Sequence, residues 1–456
     1  NATATAVTDA NGRFTVIRLQ PGVYSMSVEL SGFAPLTRNN IVVEVGRVTN
    51  TELTLGLAGQ FESLDIVAQT PVINRDGADV STNINAVSIE NLPVSARRWS
   101  NFVLGTPGAA PDGTFGLISF RGISGLLNNN TVDGGDNTQA FFAEERGRTR
   151  LSYSLSLGAV QEFQVTTSNY SAEYGRAAGG VVNAVTKSGS NQLKGEGFYY
   201  IRDNKWGASN PFTTRQQLVN GVFTSVRIKP DDRRQQYGLS AGGPLVPNRL
   251  FFFARVDQQK RYFPGTAVPG NPTAFFAPLT SAELATLASR GVNATQAADG
   301  LAFVQSLTGT VERSGDQTLL FPKIDWQISS NHSLAVSYNH LRWKSPAGVQ
   351  TAATVANGVD NWGNDGVDND WLIGKVSSLL GSRFTNELRF QWGRDFEYQT
   401  SQPAIPGEPV VPGTTRSPNV SISGTAAFGF GKPNFLDRRA YPDERRIQVS
   451  DTATLV

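Results

Sequence analysis

The chain has 456 residues, with 40 Lys and Arg against 38 Asp and Glu, no cysteine and two histidines. A net charge of +2 supplies no field that would recruit nucleic acid or an anionic membrane surface, and the absence of cysteine excludes a disulfide framework, a thiolate zinc site and a cysteine nucleophile. The length predicts two or three domains at about 150 residues each, 39% hydrophobic residues with 46 Gly exclude a disordered chain, and a charged share of only 17% beside 26 Phe points to β-rich structure with unusual surfaces.

No apolar stretch approaches the roughly 18 residues that a membrane-spanning helix needs; the best, Ala177–Val185, is short and holds two Gly and an Asn. The chain opens on Asn1 with no Met, no basic n-region and no apolar h-region. At the other end Ile447, Val449, Ala453 and Leu455 alternate with Arg446, Gln448, Ser450, Thr452 and Thr454, and the pattern then stops. Both ends read as cuts in a longer sequence.

Residues 1–58 read as short strands with turn punctuation: Asp9-Ala10-Asn11-Gly12, then Phe14–Leu19, a Pro21-Gly22 turn, Val23–Leu30, a Ser31-Gly32 break and Ile41–Val45. Tyr24, Met26, Val28 and Leu30 alternate in side with Val23, Ser25, Ser27 and Glu29, so one face is apolar. Asp9, Gly12, Phe14, Leu19, Pro21, Gly22, Tyr24, Gly32 and Phe33 fall into a D-x-x-G-x-[FY], L-x-P-G-x-Y, G-[FY] succession, which resembles the last two-thirds of the carboxypeptidase-regulatory-like (transthyretin-like) domain. The expectation is an incomplete β-sandwich that packs and does no chemistry.

Residues 59–79 read as a linker, and 80–190 as a mixed α/β domain with helical phrases at Ser88–Leu92 and Ala96–Leu104. Two strings stand out. Ile118-Ser119-Phe120-Arg121-Gly122 is followed by Asn128-Asn129-Asn130-Thr131-Val132-Asp133-Gly134-Gly135-Asp136-Asn137; later come Glu162, Tyr174-Gly175, Gly179-Gly180-Val181-Val182-Asn183 and Thr186-Lys187-Ser188-Gly189. In order and spacing they resemble the plug domain of TonB-dependent outer-membrane receptors, most closely the Oar-like branch. Read from chemistry alone, the same residues are fold-makers. Gly175, Gly179 and Gly180 permit close backbone approach, Val181-Val182 and Ala184-Val185 make a short buried strand, Asp133 can accept N–H bonds in its own turn and Arg121 can pair with a carboxylate. Within the linker, Leu64, Asp65, Ile66, Val67 and Ala68 form an extended apolar–polar run suited to strand addition. The resemblance makes it a candidate for the segment that pairs with the TonB energy-coupling complex. An ordinary linker is the alternative, and in multidomain members of this branch the coupling segment can lie further upstream.

From 191 to 456 the pattern becomes amphipathic strands joined by turns and long polar loops. Tyr237, Leu239 and Ala241 oppose Gln236, Gly238, Ser240 and Gly242; Leu334, Val336 and Tyr338 oppose Ser333, Ala335, Ser337 and Asn339. Phe384, Leu388, Phe390, Trp392 and Phe396 share one side, with Thr385, Glu387, Arg389, Gln391, Gly393 and Asp395 on the other. So many charges on the second face exclude a core that is dry on both sides, and the expectation is the first strands of an antiparallel transmembrane β-barrel, apolar and aromatic toward lipid and polar toward a hydrated lumen. On that basis Leu388→Arg costs about 2–4 kcal/mol near the bilayer midplane and Gln391→Arg costs little. About eight strands are readable, whereas plugged transporters use roughly 22, and an open sheet would leave backbone groups unpaired in lipid; the sequence is therefore expected to continue beyond Val456.

Catalytic constellations are missing: there is no G-x-S-x-G, H-E-x-x-H, P-loop or dinucleotide fingerprint. His332 and His340, eight residues apart on one strand face, lie about 26 Å apart and cannot share a metal. Asp365, Asp368 and Asp370, with neighbouring Asp360 and three Asn, offer oxygen ligands for Ca²⁺ but miss the EF-hand spacing, leaving a solvated loop as the alternative. The resemblance implies a non-enzymatic protein of the bacterial outer membrane, without cofactor or nucleic-acid partner. It would work with TonB and outer-membrane lipid to take up a large or scarce ligand such as a siderophore, saccharide or peptide. A surface adhesion or carbohydrate-binding β-protein that transports nothing is the competing reading.

Overall fold

The structure, a computed structural model, describes all residues except 1–4, 17–18, 58–77, 93–96, 99, 114–116, 141–144, 147–152, 350–351, 382–383, 415, 425, 434–435, 437–440 and 456. It is mainly β, with three successive units.

The first unit is a hairpin, β1 (Gly22–Val28) antiparallel to β2 (Leu36–Val43), with a bulge between Tyr24 and Met26. Before it, Asp9 Oδ1 accepts the N–H groups of Asn11 and Arg13 while Gly12 takes φ +76°, so the D-x-x-G string closes a turn. The strand expected over Phe14–Leu19 is not formed among the described residues. Alternation alone does not make a strand; among the described residues β1 pairs with β2 alone, and none of them offers the segment a ladder.

The second unit holds β3 (Val80–Asn85), α1 (Ala86–Asn91), α2 (Ser100–Val103), β4 (Ala109–Asp112), β5 (Leu117–Phe120), β6 (Asn129–Val132), β7 (Gly135–Asp136), β8 (Val160–Ser168) and β9 (Val181–Thr186). Five strands form a sheet in the order β3-β8-β9-β6-β7, parallel between β6 and β9 and otherwise antiparallel; β4 and β5 make a separate hairpin. Asn85 caps α1 by accepting the Ser88 N–H. Ile84, Phe102, Phe120, Leu155, Phe163 and Val165 fill the interior.

The third unit continues with β10 (Lys194–Asp203), β11 (Thr214–Val219), β12 (Val222–Arg227), β13 (Arg233–Val246), β14 (Leu250–Tyr262) and β15 (Gly265–Ala267). Then follow α3 (Pro272–Phe275), α4 (Ser281–Ser289), α5 (Ala294–Ser306), β16 (Gly309–Val311), β17 (Asp316–Gln327), β18 (His332–Ser345) and β19 (Thr354–Val355). The last are β20 (Asn364–Leu380), β21 (Phe384–Thr400), β22 (Asn419–Ile422), β23 (Phe428–Gly431) and β24 (Asp443–Leu455). Eight of these form one antiparallel sheet, β10-β13-β14-β17-β18-β20-β21-β24, in sequence order. Its length and sequential pairing are those of barrel wall: β20 and β21 have 17 residues each, more than the 9–11 or so that cross a bilayer. At one end the turns are short (247–249, 328–331, 381–383); at the other the connections 204–232, 263–315, 346–363 and 401–442 are long. The described parts of the last three long connections are tied together. β15 pairs with β16 and β19, Val359 N donates to Leu307 O, and Gly358 N to Gly429 O.

The outward face carries Tyr237, Leu239, Val256, Leu320, Ile324, Trp326, Leu388, Phe390 and Trp392, all exposed, as the alternation predicts. The inner face differs from expectation. Phe253, Leu319, Phe321, Leu341, Trp343, Val367, Trp371 and Ile373 point inward and share one continuous core with Phe120, Leu155 and Phe163 of the second unit. This part of the interior is packed rather than water-filled, because the second unit supplies apolar side chains that the wall can cover. No described helix is long and apolar enough to cross a membrane.

Candidate functional site

The seam between the second unit and the wall is where the motif residues gather. Asp133, at φ +48°, accepts the Thr186 N–H at 2.9 Å and the Thr186 hydroxyl at 2.6 Å, joining the end of β6 to the end of β9. Lys323, on the inner face of β17, reaches in: its Nζ donates to Thr186 Oγ1 at 2.9 Å and lies 3.6 Å from Asp133 Oδ2. Burial alone would push the Asp133 carboxyl up, but the Lys323 charge and the two Thr186 hydrogen bonds hold it below the usual carboxylate range. Asp133 thus serves a cross-strand tie rather than its own turn.

The next residues are bolted to β21 and β24. Arg389 Nη1 donates to Gly134 O at 2.8 Å, and Gln391 takes both polar groups of the Asp136 backbone, accepting its N–H at 2.9 Å and donating to its C=O at 2.8 Å. The Asp136 carboxylate receives Arg176 at 2.8 Å and Arg446 at 2.6 Å. Glu444 accepts the Ala140 N–H at 2.6 Å and pairs with Arg446 at 2.7 Å and with the fully buried Arg146 at 3.5 Å. Burial depresses the Arg146 guanidinium, opposed chiefly by Glu444. Further along, Arg255 Nε donates to Ser156 Oγ and Asp257 Oδ1.

The glycines of the Asp133–Asn137 string follow from this contact. Gly134 takes φ +77°, and a Cβ on it would meet the Arg389 guanidinium; a Cβ on Gly135 would meet Ile373. Their smallness serves the wall as much as the turn. Gly179 and Gly180 are tight within the second unit, against Asn128 and the Phe120 ring, whereas Gly175 has open space and an ordinary φ; its C=O accepts from Asn129. The close-approach reading holds for Gly179 and Gly180 and fails for Gly175.

The remaining motif residues scatter. Arg121 (φ +53°) and Gly122 (φ +78°) make an exposed turn, and no described carboxylate lies within ion-pair distance of Arg121, contrary to expectation. Asn183 accepts the Thr131 hydroxyl at 2.9 Å, Lys187 pairs with Glu90 at 3.6 Å, and half-buried Tyr174 donates its N–H to Ser171 O. Glu162 faces away from the wall and accepts from Val45 and Asn83. Leu64, Asp65, Ile66, Val67 and Ala68 lie outside the described residues.

The acidic run does not converge. Asp365 is buried on the inner face, while Asp368 and Asp370 face outward and are occupied by Arg342, at 3.4 Å and 2.8 Å, with His340 also on Asp370 at 2.7 Å. No group of three or more metal-ligating residues occurs among the described residues. His332 and His340 lie on one strand and bind different partners, Ser378 and Asp370.

Sequence reasoning placed Arg389, Gln391 and Arg446 on the polar face of their strands but did not assign them a partner, and it missed Lys323, Arg146 and Glu444. The available signal was the Gly134-Gly135 pair, since two adjacent glycines before an acid suggest a surface that something else must touch.

Residues 1–56 match the carboxypeptidase regulatory-like domain, and 185–277 the outer membrane beta barrel domain. Over 258 residues the chain is 28% identical to the TonB-dependent transporter Oar of Myxococcus xanthus, covering 55% of this chain and 23% of that protein. The chain is a homologue of the TonB-dependent transporters. It belongs to the bacterial outer membrane. The outer membrane transporter YddB from Escherichia coli has the same fold at a TM-score of 0.51 and 13% identity, over 77% of this chain and 43% of that one. The chain therefore spans less than half the length of either relative, and both are transporters rather than enzymes.

Proposed function

We propose that the protein takes up a ligand across the outer membrane by TonB-dependent transport, the second unit being the plug of a barrel to which the eight strands contribute wall. The observation that carries this is the seam. A compact α/β unit sits against the inner face of a membrane sheet, held by a mixture of apolar packing and polar ties such as Gln391 on the Asp136 backbone and Lys323 on Thr186. A wide pore leaks unless it is filled, and a filler held partly through hydrogen bonds and ion pairs can be loosened by energy from outside without dismantling the wall. The run Leu64–Ala68 is the proposed coupling segment, and the folded long connections are the proposed ligand-facing surface. Siderophores, saccharides and peptides are the ligand classes that fit a plugged pore.

The test compares solutes removed from the medium by cells with the gene, cells without it, and cells whose proton gradient is dissipated. The proposal expects at least one solute whose removal requires both gene and gradient. It fails if no solute depends on the gene, or if gene-dependent removal continues without the gradient.

A further inference from the structure

We propose that Asn83 and Glu162 form a clamp on the plug that docks the Glu44–Arg47 turn of the N-terminal unit, so that this unit rides on the plug and is released when strand β3 is displaced. The clamp takes hold of one residue's backbone. Val45 is buried; its N–H donates to Glu162 Oε1 at 3.0 Å and its C=O accepts from Asn83 Nδ2 at 3.0 Å, while the same Nδ2 lies 3.1 Å from Glu162 Oε1. Two side chains thus satisfy both polar groups of Val45 as a neighbouring strand would. The turn is shaped for this grip. Gly46 takes φ +66°, and a Cβ on it would fall inside the Gln164 amide, so glycine is required by conformation and by space; Glu44 and Arg47 close the turn through an ion pair at 3.1 Å. Ile41, within β2, is buried as well.

The two jaws belong to different strands. Asn83 is on β3, and Glu162 and Gln164 are on β8; among the described residues β3 is the edge strand of the plug sheet and pairs with β8 alone, in a register that sets Asn83 opposite Gln164 and Asn85 opposite Glu162. The clamp exists only while β3 is zipped to β8, and an edge strand is the first part of a sheet to leave.

The clamp also responds to protons. Burial drives the Glu162 carboxyl up to about 7 against the pull of the Val45 hydrogen bond, with Glu44 raising it and Asn83 and Arg47 lowering it; Lys187 on the plug and Glu90 on α1 are paired with each other. Because the docked state raises this acid above its free value, docking is strongest below the ordinary carboxylate range. It weakens as pH rises through about 7.

The test is amide hydrogen exchange on the full-length protein in detergent across pH 5–9, comparing segment 42–48 with β8 and β9 as the internal reference for intrinsic rates. Asn83→Ala is expected to speed exchange of 42–48 about tenfold relative to that reference. Gly46→Ala, which lies outside the plug sheet and cannot unfold it, is expected to do the same. Glu162→Gln keeps an acceptor for Val45 and is expected to retain protection while losing its pH dependence. The proposal is overturned if 42–48 is unprotected in the unaltered protein, if Gly46→Ala leaves its protection unchanged, or if the pH dependence survives Glu162→Gln.

Discussion

Gln391 decides at the residue scale how the polar face of the wall is to be understood. Its amide holds the Asp136 backbone at both ends, so Gln391→Arg is not the harmless change that a hydrated lumen would allow. Arginine has no acceptor for the half-buried Asp136 N–H, and the expected cost to docking of the second unit is about 1–3 kcal/mol, read from the urea dependence of hydrogen exchange over 133–140. An unchanged midpoint would show that Gln391 holds nothing. Asp133 gives a second prediction. Its carboxyl is held below the usual range by Lys323 and Thr186, so its contribution is complete above the free carboxylate value of about 4 and is lost as pH falls through the lower folded value. Plug docking, followed by the same exchange, should weaken in acid, and Asp133→Asn should remove that acid step; an identical acid profile in the variant would assign the step to another group.

At the element scale the wall strands were legible and the loops were not. Period-2 alternation identifies a face without any partner information, which is why Leu388, Phe390 and Trp392 emerge outward on β21. Leu388→Arg is therefore expected to lower assembly by the equivalent of about 2–4 kcal/mol, measured as the folded fraction in lipid vesicles against urea. Equal effects from Leu388→Arg and from Arg394→Leu, a change toward apolar on the same outward face, would argue against lipid there. The helices α4 and α5 went unread inside what looked like polar loop. Their signal was present in Thr280-x-x-Glu283 and Asn293-x-x-Gln296, both of which form capping boxes ahead of alanine-rich runs. The described residues of Phe14–Leu19 differ in the opposite direction, carrying a strand's pattern without forming one, because a pattern carries no information on whether a neighbour exists.

For the whole molecule, the second unit and the wall share a core, and this is what motif reading could not reach. The strings around Asp133 and Thr186 resemble a plug, but Lys323, Arg146 and Trp371 come from distant parts of the chain, and only the folded sheet brings them to the second unit. Trp371 is buried at the join, its ring 6.4 Å from Phe321. Trp371→Ala is expected to destabilise plug and wall together by about 3–5 kcal/mol, seen as one shifted thermal transition rather than a change confined to the plug. The second unit is seated on β21 through the 134–136 segment, and the absence of cysteine from the chain permits a direct measurement. Asp136→Cys and Gln391→Cys, introduced together into the full-length protein in native outer membranes, are expected to form an internal cross-link on treatment with oxidant or a short bifunctional thiol reagent. Failure of the pair to cross-link, while the variant still assembles in the membrane, would contradict the seating of the plug described above.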